Sequence, residues 1–223
     1  MAGMKDFVCF EDDFLGARTI TAAGSEGQVW EATITGDGGP AITVGGINGE
    51  ATLALQTDAE VQNLCMAFED DLNFDIDLVQ SIEMRVKMGQ AAADATTMVA
   101  FGLASARNDA IASIAARAMF RVVGSASATA VVVETDDGAT ENASVATGKT
   151  LVAAYKKFYI DFTGGKSNVK FYIDGDRVAA GTTFDMSGYA LGLQPYVQIQ
   201  KTSNANGDTV VVDYVSVKSR RPA

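Results

Sequence analysis

Alternating acidic side chains in the segment Asp75–Gln80 are the residues of this 223-residue chain best suited to chemistry. On a β-strand, Asp75 and Asp77 would point to the same face, because side chains alternate between the two faces. Two carboxyl groups about 5 Å apart are what retaining glycoside hydrolysis needs, one as nucleophile and one as acid/base. The segment ends in Gln80, and an amide cannot act as a general acid. The segment therefore predicts a solvated acidic turn rather than an active site.

The same segment resembles, only in outline, the Glu-Asp-Glu strand of laminarinase-type glycosidases. The resemblance implies Asp75 at the nucleophile position and Gln80 at the acid position, and the second of these speaks against hydrolysis. The chain contains no histidine, which excludes Ser-His-Asp and Cys-His catalysis and the usual zinc centres. We therefore expect a protein that is not an enzyme.

Candidate metal ligands are confined to acidic turns. The pairs Asp12-Asp13, Asp70-Asp71 and Asp136-Asp137 could contribute calcium ligands, since Ca²⁺ takes clustered oxygens, but none has EF-hand spacing. We expect no metal and no cofactor. Cys9 and Cys65 are far apart in the sequence, and their spacing does not decide between a bridge and two thiols. Free buried thiols are the simpler interpretation.

The overall charge restricts the partners of the protein. Lys and Arg number 17 against 28 Asp and Glu, giving a net charge of −11. An acidic surface repels phosphate, which disfavours nucleic acid as a partner. No apolar run reaches the roughly 18 residues of a membrane span, and the N-terminus lacks the apolar core of a secretory signal. The one dense basic segment is the tail from Lys218 to Arg221.

The elements that must position these residues are short strands. Gly is abundant (22) and Pro scarce (3), which is typical of strands joined by tight turns. The segments 158–162 and 169–174 both alternate apolar and polar residues and predict a hairpin with one buried face. The alanine-rich segment 109–117 is compatible with a short helix or a strand. About a dozen strands without long helices predict an all-β protein, an antiparallel sandwich or barrel.

No change in composition and no linker divides the chain. We expect one domain, in which residues 1–70 supply strands or an arm integrated with the sandwich and residues 71–223 form its main body. Three aromatic residues are candidates for stacking on sugar rings, namely Trp30, Tyr189 and Tyr196. A single Trp on a strand is more often a core residue, and we favour that interpretation for Trp30.

The C-terminal third, from Tyr155 to Lys218, resembles the closing strands of concanavalin-like jelly rolls. The resemblance lies in the hairpin segment Val169–Gly175 and in the terminal segment Val212–Val217. It implies an antiparallel jelly-roll β-sandwich. Lectins, laminin-G-like modules and glycosidases share that fold, so it does not fix the function.

A longer resemblance, over residues 80 to 219, is to jelly-roll virion proteins of tailed bacteriophages that are thought to decorate the capsid. Five ordered pieces carry it: Phe101–Asp109, Phe120–Val122, Glu134–Gly138, Thr147–Leu151 and Leu193–Tyr196. The resemblance implies a structural protein made in the bacterial cytoplasm, located on the capsid surface, bound to the major capsid protein and assembled as a homotrimer. Many equivalent sites on a shell would strengthen modest contacts by multivalency.

Two functional hypotheses follow. The first is the capsid decoration or cement protein, with Lys218, Arg220 and Arg221 as the candidate anchor on an acidic shell. The alternative is a carbohydrate-binding module on a virion surface that mediates host adhesion. In that case Trp30, Tyr189 and Tyr196 would be the stacking residues.

Overall fold

The computed structural model contains two β-sheets packed face to face, and all but one of their strand pairs are antiparallel. It describes residues 6–16, 19–22, 29–43, 49–68, 71–90, 93–124 and 129–222. This confirms the predicted all-β antiparallel sandwich. In the described part of the chain, no helix is long and apolar enough to cross a bilayer.

Seventeen strands make up the two sheets in the described ranges. Those of the first half are β1 (Phe7–Asp12), β2 (Thr21–Ala22), β3 (Glu31–Thr35), β4 (Gly39–Ile42), β5 (Ala51–Ala54), β6 (Glu60–Ala67), β7 (Phe74–Asp75), β8 (Val79–Met88) and β9 (Thr97–Ala104). Those of the second half are β10 (Arg117–Val123), β11 (Ala130–Asp136), β12 (Glu141–Thr150), β13 (Lys156–Asp161), β14 (Lys170–Ile173), β15 (Asp176–Val178), β16 (Gly192–Asn204) and β17 (Thr209–Arg220).

The eight-stranded sheet has the order β15-β14-β13-β8-β17-β5-β4, with β1 also paired to β17. The nine-stranded sheet has the order β12-β11-β10-β9-β16-β6-β3-β2, with β7 paired to the start of β16. Strands from residues 1–70 therefore enter both sheets: β1, β4 and β5 join the first, and β2, β3 and β6 the second.

The core lies between the sheets and is filled by the inward-facing residues of each alternating strand. Phe101 and Phe120 of the nine-stranded sheet meet Phe158 of the eight-stranded sheet at ring-centroid distances of 4.7 and 5.0 Å. Phe171 completes this cluster from β14. Edge-to-face contacts of this kind add to the stability from burial. The predicted hairpin is confirmed, since β13 and β14 pair in register from Phe158↔Ile173 to Asp161↔Lys170.

The segment 109–117 forms neither a helix nor a single strand. Residues Ile111–Ser113 form one 3-10 turn, and β10 begins at Arg117. Just before this turn, the side-chain oxygen of Asn108 accepts the N–H of Ala110 at 2.9 Å, but the turn itself has no side-chain cap. An isolated turn suffices here because Ile111 and Ile114 are both buried against the sheet below.

Neither cysteine forms a disulfide, so no bridge links the strands that hold them. Cys65 is buried on β6, as expected. Cys9 is exposed on β1, which corrects the expectation of two buried thiols.

Candidate functional site

The acidic segment Asp75–Gln80 forms a turn between β7 and β8. Asp75 accepts the N–H of Asp77 at 2.9 Å, and Asp77 forms an ion pair with Lys166 at 2.9 Å. Both carboxylates are exposed. Gln80 follows on β8, where its amide donates to the carbonyl oxygens of two preceding residues. The prediction of a solvated acidic turn is confirmed, and the carboxylates do not share a strand face.

The candidate calcium ligands serve local structure instead. Asp12 accepts the indole N–H of Trp30 at 2.8 Å and the N–H of Phe14 at 2.8 Å. Asp137 accepts three backbone N–H groups, those of residues 139, 140 and 188. Asp70 lies outside the described residues. Within the described ranges, no group of three or more potential ligands is close enough to hold a metal ion.

The three aromatic residues predicted to stack on sugars do not lie together. Trp30 is 4% exposed and packs in the core, so it cannot stack on a ligand from outside. Tyr196 is fully buried on β16, where burial raises its pKa. Tyr189 is half-buried and donates its hydroxyl to the carbonyl of Gly192 at 3.0 Å. The stacking role assigned to Trp30 and Tyr196 is therefore incompatible with the structure.

The basic tail is part of the eight-stranded sheet. Lys218 and Arg220 are exposed on β17, and the Lys218 ammonium lies 4.3 Å from the centroid of the Phe7 ring. The N–H of Arg221 donates to the carbonyl of Asp6 at 2.9 Å. Lys218 and Arg220 therefore lie on a strand that is flanked by β1 and β8, and Arg221 follows directly after it.

The outer face of the nine-stranded sheet is covered by the connection between β9 and β10, residues 105–116, which we call the strap. Ile111 and Ile114 of the strap pack onto a row of mostly small residues, namely Cys65, Ala67, Ala100, Ala104, Met119 and Tyr196. Gly102 lies in the same row, where a Cβ would come within 2.4 Å of the Ala118 carbonyl. Small side chains on the sheet make the room that the strap fills.

Arg117 holds the strap at its C-terminal end. Its guanidinium donates to the Ile114 carbonyl of the strap at 2.7 Å and to the carboxylate of Glu134 at 2.9 Å. It also forms ion pairs with Asp136 at 2.7 Å and with Glu141. Arg117 and Glu134 are both fully buried. Such a network stabilises a structure only when every charge is paired, as these are.

Asp109 holds the strap at its other end. Asn63 of β6 donates its amide to the carboxylate of Asp109 at 3.0 Å, and Gln198 of β16 approaches the Asp109 carbonyl at 3.4 Å. Beneath this end of the strap, the sheet carries the buried polar side chains of Asn63 and Gln198 beside the apolar row. The Asn63 and Gln198 side-chain oxygens and the Arg121 Nε have no hydrogen-bond partner among the described residues.

The outer face of the eight-stranded sheet has no such cover among the described residues. Four of the six tyrosines of the chain are half-buried there: Tyr155, Tyr159, Tyr172 and Tyr214. We call this surface the tyrosine face. Tyr159 and Tyr172 are cross-strand neighbours on β13 and β14, with ring centroids 5.9 Å apart and an interplanar angle of 63°.

Tyr155 is surrounded by charged groups. The Arg85 guanidinium and the Lys87 ammonium lie 4.3 and 4.2 Å from the centroid of its ring, which is within the range of a cation–π interaction. Its hydroxyl donates to Glu50, which also pairs with Lys87 at 3.2 Å. The hydrogen bond from Tyr155 lowers the pKa of Glu50, while burial and the same carboxylate raise the pKa of Tyr155.

Tyr214 repeats this arrangement on β17. Its hydroxyl donates to Glu83 of β8, and burial, followed by this hydrogen bond, raises its pKa. Arg85 forms an ion pair with Asp213 at 2.6 Å. The tyrosine face therefore combines flat aromatic rings with charged groups that are held in fixed positions by their neighbours.

The alternation of two sequence segments already indicates part of the tyrosine face. The alternation of β13 places Tyr159 on the side opposite the core, and the alternation of β14 does the same for Tyr172. From the sequence alone, Tyr159 and Tyr172 are only residues on the solvent side of the predicted hairpin. The cross-strand register that brings them together is not visible in either segment alone.

Comparison with known proteins identifies the class of fold. The chain is similar to a family 16 glycoside hydrolase from a Bacteroides ovatus mixed-linkage glucan locus, in complex with the G4G4G3G product, with 11% identity, 93% and 99% of the two chains covered and a TM-score of 0.63. A laminarinase from Flavobacterium sp. UMI-01 has 14% identity, coverages of 93% and 98% and a TM-score of 0.61. The Emp47p carbohydrate recognition domain has 10% identity, coverages of 96% and 95% and a TM-score of 0.59. No family model and no curated protein matches the sequence.

These similarities establish a concanavalin-like jelly roll over nearly the whole chain. They also correct two expectations. A non-enzymatic capsid decoration protein is the wrong interpretation, because the similar structures are mostly glycoside hydrolases and nothing in the comparisons indicates a phage capsid protein. Ruling out an enzyme from Gln80 was also wrong, since chains of this fold are predominantly catalysts among those structures.

Proposed function

We propose that the protein binds carbohydrate through the tyrosine face. The single observation that supports this most is the grouping of four half-buried tyrosines with charged, hydrogen-bonding side chains on one uncovered sheet face. The fold is in agreement, since it is shared with glucan hydrolases and a carbohydrate recognition domain. Fold alone does not fix a function, so the proposal rests on the surface.

The chemistry of this surface suits a sugar. An aromatic ring is apolar on its face and, in tyrosine, polar at its tip, so it can pack on the apolar face of a sugar and hydrogen-bond at its edge. Charged side chains make the stronger hydrogen bonds to hydroxyl groups. From β15 to β17 the face spans four strand intervals, or about 19 Å. That length accommodates an oligosaccharide rather than a single sugar unit.

The test is affinity for a panel of immobilised polysaccharides, measured for the wild type and for the Tyr159→Ala and Tyr172→Ala variants. We expect each variant to lose about tenfold or more in affinity, as anchors at the centre of an interface do. Val61→Ala is the matched control, because Val61 is 58% exposed but lies on β6 of the other sheet. Equal binding by all four proteins, or no retention on any glycan, would refute the proposal.

Hydrolysis is a second candidate, favoured by one observation. Glu134 and Asp136 alternate on β11, so both carboxylates lie on the outer face of the nine-stranded sheet and both bind Arg117. Two carboxylates on one face are what glycoside hydrolysis uses, but here the strap covers them. Release of new reducing ends from β-glucans by the wild type, abolished in Glu134→Gln with folding intact, would support this activity. Release that persists in Glu134→Gln would assign it to another residue or to a contaminant.

A further inference from the structure

We propose that the glycan bound by the tyrosine face is anionic, with carboxylate or sulfate groups, and that it lies over Tyr159 and Tyr172. This inference rests on the proposed function and specifies its ligand. Three cationic side chains surround the tyrosine pair: Arg177 on β15, Lys170 on β14 and Lys157 on β13. We call these five residues the basic tyrosine cluster.

The register of the sheet defines the cluster. Arg177 is the direct cross-strand neighbour of Tyr172, which is in turn the neighbour of Tyr159. Lys170 stands two residues before Tyr172 on the same face, and Lys157 two residues before Tyr159. Residues two apart on a strand, or diagonal across two strands, are about 7 Å apart, so long cationic side chains reach a ligand lying on the rings.

The three cations are available to a ligand. None of them forms an ion pair or a side-chain hydrogen bond with another described residue, whereas Arg85 and Lys87 on the same face are paired. The carboxylates beside the cluster have other partners. Glu83, the cross-strand neighbour of Tyr159, accepts the hydroxyl of Tyr214. Asp161 accepts from Thr163, and Asp174 accepts the backbone N–H of Lys157. Arg177 and Lys157 are exposed, and Lys170 is half-buried.

The distribution of charge over the molecule gives an independent argument. The chain has a net charge of −11, yet basic side chains outnumber carboxylates on the outer face of the eight-stranded sheet. Seven basic side chains project there, namely Arg85, Lys87, Lys157, Lys170, Arg177, Lys218 and Arg220. Within the described ranges, the carboxylates on the same face are Glu11, Glu50, Glu83, Asp161 and Asp213, of which Glu50 and Asp213 pair with Lys87 and Arg85. An anionic polymer is repelled by the acidic remainder of the surface and attracted to this face. A neutral glycan gains nothing from unpaired cations beside the rings. Charge complementarity therefore favours an anionic ligand.

The decisive probe is polygalacturonate, offered as the free acid and as the fully methyl-esterified polymer, which share one backbone and differ in charge. A sulfated polysaccharide and the neutral glucan laminarin complete the panel, and polyglutamate serves as a polyanion that is not a carbohydrate. We expect binding to the carboxylated or the sulfated polymer to exceed binding to the neutral ones by about tenfold or more, and to weaken as salt rises from about 0.05 to about 0.5 M.

Two triple variants with the same change of net charge locate the site. Arg177→Gln/Lys170→Gln/Lys157→Gln removes the cations of the cluster, and Lys218→Gln/Arg220→Gln/Arg221→Gln removes those of the basic tail. We expect about tenfold or greater loss of affinity for the first and less than about threefold for the second. Equal losses in the two variants would overturn the assignment, because they would reflect overall charge alone.

The outcomes separate this inference from the proposed function. Binding to neutral and anionic glycans alike, dependent on Tyr159 and Tyr172, would overturn the anionic ligand but leave carbohydrate binding in place. Polyglutamate binding as tight as that of the anionic glycans would overturn a glycan ligand in favour of an acidic protein. Retention on none of the polymers would overturn both.

Discussion

The two outer faces of the sandwich are shielded from solvent in different ways. A sheet face that is not part of the core must be covered or must be polar. The nine-stranded sheet has small residues on its outer face, and the strap fills the space with Ile111 and Ile114. The tyrosine face has long side chains that cover their own strands and remain only partly buried.

The difference shows which charged residues serve stability and which can serve binding. Arg117 is fully buried, and every carboxylate around it is paired with it, so it is a structural residue despite its charge. Arg177 is exposed and unpaired among the described residues, so its removal leaves no buried charge behind. Charge alone therefore does not identify a binding site. A charged side chain is a candidate for ligand binding when it is exposed and has no ion-pair partner within the protein.

The largest expected effect is the loss of Arg117. In Arg117→Met, the buried carboxylate of Glu134 and the strap carbonyl of Ile114 lose a donor. Breaking a buried ion pair costs about 3–5 kcal/mol of unfolding free energy when the remaining charge is left unpaired. Glu134 keeps its ion pair with Arg121 at 2.7 Å, so we expect a loss at the lower end, about 3 kcal/mol. Denaturant unfolding followed by intrinsic fluorescence measures this loss.

The control for Arg117→Met is Lys149→Met, which breaks the ion pair of Lys149 with Asp176. The side chains of this pair are 37% and 69% exposed, so we expect a loss below about 1 kcal/mol. Similar losses for the two variants would contradict the distinction between a buried, structural ion pair and an exposed one.

The second effect concerns the strap itself. Ile114 is 1% exposed and is held over Ala104 and Met119 of the sheet. Ile114→Ala leaves a cavity at the strap and should cost about 2–4 kcal/mol. We also expect faster amide hydrogen exchange confined to residues 105–116, measured by mass spectrometry. Exchange that rises equally in β13 and β14 would mean that the strap unfolds only with the whole domain.

How far the sequence predicts the structure depends on the range of the interactions. The inward faces of β13 and β14 follow from local alternation, and so they are predicted from Phe158, Phe171 and their neighbours. Pro195 suggests either an edge strand or the entry of a strand, and the second is correct, since β16 begins at Gly192 and lies between β9 and β6 inside the nine-stranded sheet. Proline is tolerated there because it stands near the start of the strand.

The functional surface is harder to predict, because it depends on the register between distant segments. Tyr155 and Glu50 are 105 residues apart and touch only in the folded chain. The Arg117 network joins three strands and the strap, and no local sequence motif predicts that these residues meet. Trp30 is the reverse case, since its assignment to the core requires only the general preference of a large apolar side chain for burial.

The third prediction uses pH to probe the tyrosine face. In Tyr155→Phe, the hydrogen bond to Glu50 is lost, which should cost about 1 kcal/mol at neutral pH. The pKa of Glu50 is lowered from its usual 4.5, so the contribution is fully present above pH 4.5 and is lost as the pH falls through the lowered value. The pKa of Tyr155 is raised above 10.0, so the contribution is complete below pH 10 and declines at higher pH.

The difference in unfolding free energy between wild type and Tyr155→Phe should therefore form a plateau from about pH 5 to about pH 9.5 and shrink on both sides. Tyr159→Phe is the matched control, because the Tyr159 hydroxyl has no hydrogen-bond partner in the described part of the chain. A plateau that extends unchanged to pH 3 would show that Glu50 does not accept this bond in solution.

The smallest expected effect is on the basic tyrosine cluster, where Arg177→Gln and Lys157→Gln should each change the unfolding free energy by less than about 0.5 kcal/mol. Both side chains are exposed and unpaired, so nothing buried depends on them. The same thermal or denaturant unfolding that detects Arg117→Met measures this. A loss of several kcal/mol at either position would assign the cation to the fold and weaken the case for a ligand site. An unchanged stability together with weakened binding of anionic glycan would separate the two faces by function as well as by structure.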